Sequence, residues 1–502
     1  QGNSDQGYAF SKQSGIYTMN MSGGNSKFVA EEGEYPVFSK DGKRIFYQTG
    51  GVFFGNLTKE LKSIDLNGKD ERTHIKSKNA NRLVPSPDND WIAFTMLHKG
   101  YVAPLNINGQ TIDLDNNSTA VPVAEVTQIA GINLHWSPDS KNIRYTLGDS
   151  YYNSALKDRY TFLENSPKKV EKPTDSAIKI ALTSKVDKPK GRIALTNARI
   201  ITMEGDKVIE NGTLIINQNR IEAVGNSTEV KVPSDALVYD LTSKTIMPGM
   251  IDAHAHIGAF RYGLTTQKNW QLYANLAFGV TTSHDPSSNT ESIFTLSEMV
   301  KSGALVGPRI FSTGYILYGA EGDFKAVINK LDDARSSVKR TKAFGALSVK
   351  SYNQPRREQR QQILQAAREE GINVVPEGGS TFFTNMSMVI DGHTGIEHNI
   401  PITPVYKDVI ELWGKSEVGY TPTLIVNYGG LNAELYWYER TNVWENKKLL
   451  QFTPRGIIDS RSRYRMMAPE EDYQNDHILT SKTAKTLADS GVKINMGAHG
   501  QL

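Results

Sequence analysis

Near the middle of the chain a proline-glycine break, Pro248-Gly249, leads into a short apolar run and then His254 and His256, two imidazoles at i and i+2. From there the texture is strict. Short β-branched stretches, GMIDAHAHI, GVTTSHDP, PRIFSTG, ALSVKSY, INVVPEGG, TGIEHNI, GYTPTLIV and VKINMGAHG, alternate with helical patterns such as RREQRQQILQAAREEG and HILTSKTAKTLADSG. Eight strand-helix units of this length predict a (β/α)8 TIM barrel over residues 248–502. Successive side chains of a strand alternate faces, so His254, His256 and Asp252 point to one side, into the mouth of the barrel.

The first third reads differently. EYPVFSKDGKRIFYQ, RLVPSPDNDWIAFT and NLHWSPDSKNIRYTLG each read as strand, Ser-(Lys/Pro)-Asp turn, strand, with their aspartates Asp41, Asp88 and Asp139 spaced 47 and 51 residues apart. A repeat of that length with about four short strands predicts β-propeller blades. The motif resembles the TolB-type, WD40-like propeller repeat. Only about three blades can be counted, so residues 1–160 are expected to be a partial, all-β propeller. Residues 161–190, rich in Lys, Pro, Asp and Ser, are expected to be a linker. Residues 191–247 alternate apolar and polar between Gly, Asn and Asp turns and are expected to form a small β-sandwich unit. The chain is thus read as multidomain, in keeping with its 502 residues.

Composition narrows the chemistry. Basic and acidic side chains nearly balance, 57 against 54, and no basic run is long enough to track a phosphate backbone, which argues against a nucleic-acid partner. No membrane span and no signal peptide is visible. Cysteine is absent, which removes disulfides and thiolate metal sites and leaves His and carboxylate as the strong ligands. Seven of the ten histidines follow residue 250, and His284, His398 and His499 stand at strand ends. Two neutral imidazoles aimed at one point suit a divalent cation.

A small β-unit leading into P-G-x-I-D-x-H-x-H, a lysine in the fourth strand and a histidine in the sixth resemble the metal-dependent amidohydrolase superfamily, near its imidazolonepropionase and prolidase-like members. The resemblance covers about residues 190–502. It implies a metal-dependent hydrolase that cleaves an amide, cyclic amide or peptide-type C–N bond with a metal-activated water, using one or two divalent ions, zinc above all. By the resemblance His254 and His256 match metal ligands of the first strand, His398 that of the sixth, and Lys350 the lysine that relatives carbamylate to bridge two metals. Unmodified, Lys350 would instead pair with a carboxylate. The fifth strand, where relatives carry a histidine, offers Glu377, and the eighth, where they carry an aspartate, offers His499. Glu377 is therefore expected as a ligand, and Glu377 and His499 as the catalytic pair, with the one that transfers the proton left open. His393 and Glu397 are expected to be structural.

Tyr352, Arg356 and Tyr428 are expected to contact a small-molecule or short-peptide substrate, with Arg356 equally suited to the exposed start of a helix. Leu502 falls three residues after His499, so the barrel is expected to be truncated, without its last helix. The propeller resemblance implies a periplasmic or secreted protein and leaves room for a protein partner on the propeller and for a homo-oligomer. A catalytically inactive barrel and propeller used as a binding scaffold is the alternative reading. A serine peptidase behind a propeller would need a G-x-S-x-G elbow, and no serine here has that context.

Overall fold

The computed structural model describes residues 15–500 except 52–55, 175, 181, 258–259, 262–263, 266–267, 321, 323–324, 429, 464 and 466. Residues 1–14 of the expected propeller segment and the terminal pair 501–502 lie outside the described residues. The architecture is mixed α/β with several separate sheets.

Each of the three repeats closes a hairpin. Glu34–Phe38 pairs with Arg44–Thr49, Ala80–Pro85 with Trp91–Met96, and Ile132–Trp136 with Asn142–Leu147, all antiparallel. The turns explain the conserved spacing of residue types within the repeat. Ser39 Oγ donates to Asp41 (2.7 Å) and accepts from Arg44 N (2.9 Å), and Ser86 and Ser137 accept in the same way from Trp91 N and Asn142 N. The residue after each aspartate, Gly42, Asn89 or Ser140, is left-handed at φ 68°, 63° and 58°. Further strands, antiparallel except for Ile112–Asp113 beside Arg72–Ser77, extend each hairpin into a sheet of four or five strands. The outer strand of the third sheet is Ile178–Lys179, so the stretch expected to be a linker contributes to that sheet. Residues 191–247, expected to be a sandwich, form one five-stranded sheet around Arg192–Ile201.

After residue 248 short parallel strands alternate with helices. Val280–Asp285 lies between Met250–Asp252 and Arg309–Ser312, Ser348–Tyr352 between Leu317–Tyr318 and Asn373–Pro376, and Gly395–Glu397 beside Gly419–Thr421. Single bridges join these groups: Glu377 with Glu397, Tyr420 with Ile494, and Ala255 with His499. The parallel order is therefore continuous from Arg309–Ser312, through the segment at 494–499, round to Leu317–Tyr318. Among the described residues no pairing joins Arg309–Ser312 to Leu317–Tyr318 or Ser348–Tyr352, so no closed barrel forms.

The helices pack outside these strands and supply the core. Arg357–Glu370 turns Ile363, Leu364, Ala366 and Ala367 inward onto Val349 and Val374 of the strands and onto Ala334 and Val338 of the helix Leu331–Ala343. This helix ends on Gly371 at φ 67°, a left-handed cap that a side chain would strain. A second core surrounds Trp413 and Tyr420, and a third Leu272, Ile293 and Ile310. Polar side chains are left to converge at the carboxyl ends of the strands. Among the described residues no helix is long and apolar enough to cross a membrane.

Candidate metal centre

His254, His398 and His499 offer one nitrogen each within 4.8 Å of one another, all three buried. Their rings lie 4.7 to 5.3 Å apart, and His256 joins at 4.5 Å from His499 and 5.1 Å from His254. Backbone bonds hold the cluster: His499 N donates to His254 O (2.8 Å) and His256 N to His499 O (2.7 Å). Asp252 accepts from His254 N (3.1 Å) and Ala498 N (3.0 Å), so its carboxylate fastens the main chain and faces the same side as the histidines.

The donor set passes a direct test for a cation. His254 Nδ1 lies 2.5 Å from Glu397 Oε2, while His254 Nε2 is buried without a hydrogen-bond partner. His499 Nδ1 and His256 Nδ1 are likewise buried without one, and Asp285 at 3.6 Å from His256 Nδ1 is too far for a hydrogen bond. Buried polar atoms are almost always satisfied, so the unpaired nitrogens of His254 and His499, close to one another, fit a divalent ion, while that of His256 faces Asp285 beside them. A carboxylate on the far nitrogen of a ligating imidazole is the usual way to fix its tautomer. Thr423 Oγ1 does the same for His398 Nδ1.

Lys350 and Glu377 sit beside the imidazoles as a buried ion pair, Nζ to Oε2 2.5 Å, with the ammonium over the Tyr352 ring at 5.5 Å. Glu377 Oε1 is also 2.9 Å from His398 Nε2 and accepts from the Tyr428 hydroxyl at 3.1 Å. Tyr428 and Tyr352 thus reach the pocket. Arg356 does not: its half-exposed guanidinium bonds Glu358 at 2.6 Å, because it caps the helix Arg357–Glu370 on the surface. His284 is tied between Ala253 O (3.2 Å) and Ser348 Oγ (2.8 Å), and His393 packs elsewhere, against Met388 O at 3.1 Å.

Glu397 was expected to be structural and is instead the partner of His254. The alternation of a strand would turn it away from His398, but His398 is left-handed at φ 68°, so both side chains enter one pocket. Among sequence signals only the run Glu397-His398 itself pointed there.

Electrostatics sorts the roles. Burial, with Lys350 and the neighbouring imidazoles, keeps His254 neutral well below the ordinary histidine range. Burial, then His256, His398 and Lys350, pulls His499 down to about 3. An ordinary imidazole at His499, with a pKa near ~6.5, would have given activity an acid limb at that pH; the buried one stays unprotonated throughout the neutral range. Burial opposes ionisation of Glu377, but Lys350 and His398 outweigh it and hold the carboxyl far below its usual range. Burial pushes Glu397 up to about 8, against the pull of Lys350 and Thr421 and with help from Glu377 and Asp252.

That last value has a measurable consequence. Without a cation Glu397 holds its proton below about 8, whereas a cation on His254 Nε2 requires Nδ1–H donating to an ionised Glu397. Uptake of a divalent cation at this point at neutral pH is therefore expected to release a proton from Glu397, with affinity rising about tenfold per pH unit and flattening above about 8. Calorimetry in buffers of different ionisation heat reads the proton; in Glu397→Gln this step should vanish.

No family model matches the chain. It is 40% identical over 67 residues to imidazolonepropionase of Vibrio cholerae serotype O1, a match covering 12% of this chain and 16% of the relative. It is 37% identical over 68 residues to imidazolonepropionase of Paracoccus denitrificans, covering 12% and 17%. The chain therefore spans about a sixth of the length of the curated relatives it matches. Among solved structures, a Xaa-Pro dipeptidase with bound methionine in the active site aligns over 62% of this chain and 79% of its own at TM-score 0.44 and 17% identity. Amidohydrolase eaj56179 aligns over the same shares at TM-score 0.45 and 18% identity.

Proposed function

We propose that the chain is a metal-dependent amidohydrolase cleaving an amide, cyclic amide or peptide-type C–N bond. One observation carries the reading: three buried imidazoles share a point at which His254 Nε2 and His499 Nδ1 have no partner, while Glu397 holds the opposite nitrogen of His254. The local likeness to imidazolonepropionase supports the same reaction class. On this reading the parallel strands after residue 248 belong to a (β/α)8 barrel, the sheet of residues 191–247 to its β-unit, and the three repeat sheets to a partial propeller.

His254, His398 and His499 would hold the ion, with His256 and Glu377 beside them, and three imidazoles favour zinc among common divalent ions. Such an ion supplies Lewis acidity, polarising a carbonyl and lowering the pKa of water. The chain's own residues supply order and charge. Glu397 and Thr423 orient two imidazoles, and Asp252 ties the main chain at His254 to the segment that carries His499. Glu377, ionised at all neutral pH values, offers a fixed negative charge, and the Tyr428 hydroxyl a donor, to a substrate entering beside them.

A carboxylated Lys350 would replace an ammonium by an anion 2.5 Å from Glu377, so it requires a second cation between the two. Labelled bicarbonate should accordingly mark Lys350 only in protein carrying two ions per chain.

The test of the function is metal analysis joined to a screen of dipeptides, N-acyl amino acids and cyclic amides. About one zinc or more per chain and hydrolysis abolished by a chelator are expected. A folded protein that binds no metal and cleaves none of the three classes would overturn the reading in favour of an inactive scaffold.

A further inference from the structure

Asn399 follows His398 in the chain and is 3% exposed. Its carboxamide grips the main chain of Tyr428 from both sides: Oδ1 accepts from Tyr428 N at 2.6 Å, and Nδ2 donates to Tyr428 O at 3.2 Å. Tyr428 in turn places its hydroxyl on Glu377 Oε1 and the edge of its ring on His398, centroids 5.6 Å apart at 89°. A second hold acts on the far side of the same loop. Leu431 N donates to Asp476 Oδ2 at 2.9 Å from the π-turn Gln474–Ile478, and Asn427 Nδ2 donates to Leu431 O at 3.2 Å. A Cβ on Gly430 would stand 2.0 Å from Asp476 Oδ1, so any other residue there would push the carboxylate off Leu431 N.

We infer that Asn399 is a positioning residue which, with Asp476 opposite, fixes the loop around Tyr428 as a rigid wall of the pocket and so delivers the Tyr428 hydroxyl to Glu377 and to a substrate bound beside it. The physical reason is economy of freedom. A loop tyrosine would lose its reach through main-chain motion, and a side-chain amide that satisfies both the N–H and the C=O of one residue removes that motion without needing a strand. Asn suits this, since its short planar carboxamide carries a donor and an acceptor side by side. The inference deepens the proposed function and rests on it only for the substrate, because the hold itself is independent of any activity.

Amide hydrogen exchange on the full chain tests it. In Asn399→Ala the amides of 426–428 and 430–433 should exchange at least about tenfold faster, as expected for losing a bond of ordinary net strength, with the hairpin at 142–155 unchanged. Asn399→Asp keeps the acceptor and loses the donor, folds by the same contacts, and should fall between. Tyr428→Phe leaves both main-chain bonds and should exchange as the parent does. On any dipeptide or N-acyl amino acid that the parent cleaves, Asn399→Ala and Tyr428→Phe should each lower kcat about tenfold, and the double variant should be no slower than either. Parental exchange in both Asn399 variants, or additive losses of kcat, would overturn the inference. Parental inactivity toward every substrate with faster exchange in Asn399→Ala would sink the proposed function and leave the positioning role standing.

Discussion

On the proposed function His254→Ala is expected to weaken the affinity for a divalent ion, zinc above all, by more than about a hundredfold. The residue combines the buried, unpartnered Nε2 with the Glu397 contact, so alanine removes a ligand and its orienting partner together. Losing an orienting partner alone usually costs 10–100-fold in metal affinity. His398→Ala and His499→Ala should behave alike, because the three nitrogens form one set. His256→Ala should lose far less, since its ring borders the set while its Nδ1 faces Asp285 at 3.6 Å. Metal content after dialysis, with melting temperature as the check on folding, reads the result. Stoichiometric zinc in His254→Ala would remove the site; equal loss in His256→Ala would enlarge the ligand set to four.

Lys350→Met is expected to destabilise the metal-free protein by about 3–5 kcal/mol, the cost usual for breaking a buried ion pair from one side. The methionine keeps volume but leaves Glu377, 5% exposed, as an uncompensated anion among apolar and imidazole groups. Glu377→Gln in the same chain should return much of the loss, because the charge then disappears with its partner. Zinc should also return part of it by placing a cation near the stranded carboxylate. Denaturant unfolding of protein held in chelator, followed by a signal from the C-terminal half, reads these differences. A loss under about 1 kcal/mol would mean that Lys350 does not neutralise Glu377.

The histidines of the centre were legible because period two and strand ends are written in the sequence: His254 and His256 share a face, and His398 and His499 close their stretches. What a left-handed residue does to that period was not. His398 at φ 68° and His499 at φ 65° break the alternation, so Glu397 joins the pocket that simple strand geometry denies it. The pairing of an unmodified Lys350 with a carboxylate was one of two readings the sequence left open. It depends on the register of two strands, with Lys350 opposite Val375 and Glu377 just beyond the ladder, and register is a property of packing. Arg356 was left between the pocket and the exposed start of a helix because the end of a strand and the start of the next helix look alike in sequence, and it takes the second place. The strand-turn-strand form of each repeat was legible, since each Ser-x-Asp turn is a local device that needs no distant contact.

Three of the junctions that keep the parallel strands in order are single bridges, and two of them are made by residues of the centre: Ala255 with His499, and Glu377 with Glu397. Under the proposed function the same short segments answer to two kinds of selection, one on chemistry and one on architecture. A lineage that gave up hydrolysis would still be held near these residues by the need to keep its sheet joined. Their persistence among descendants would then be a poor guide to who still catalyses, and divergence should be sought first at positions such as Tyr352 that border the pocket without stitching the strands.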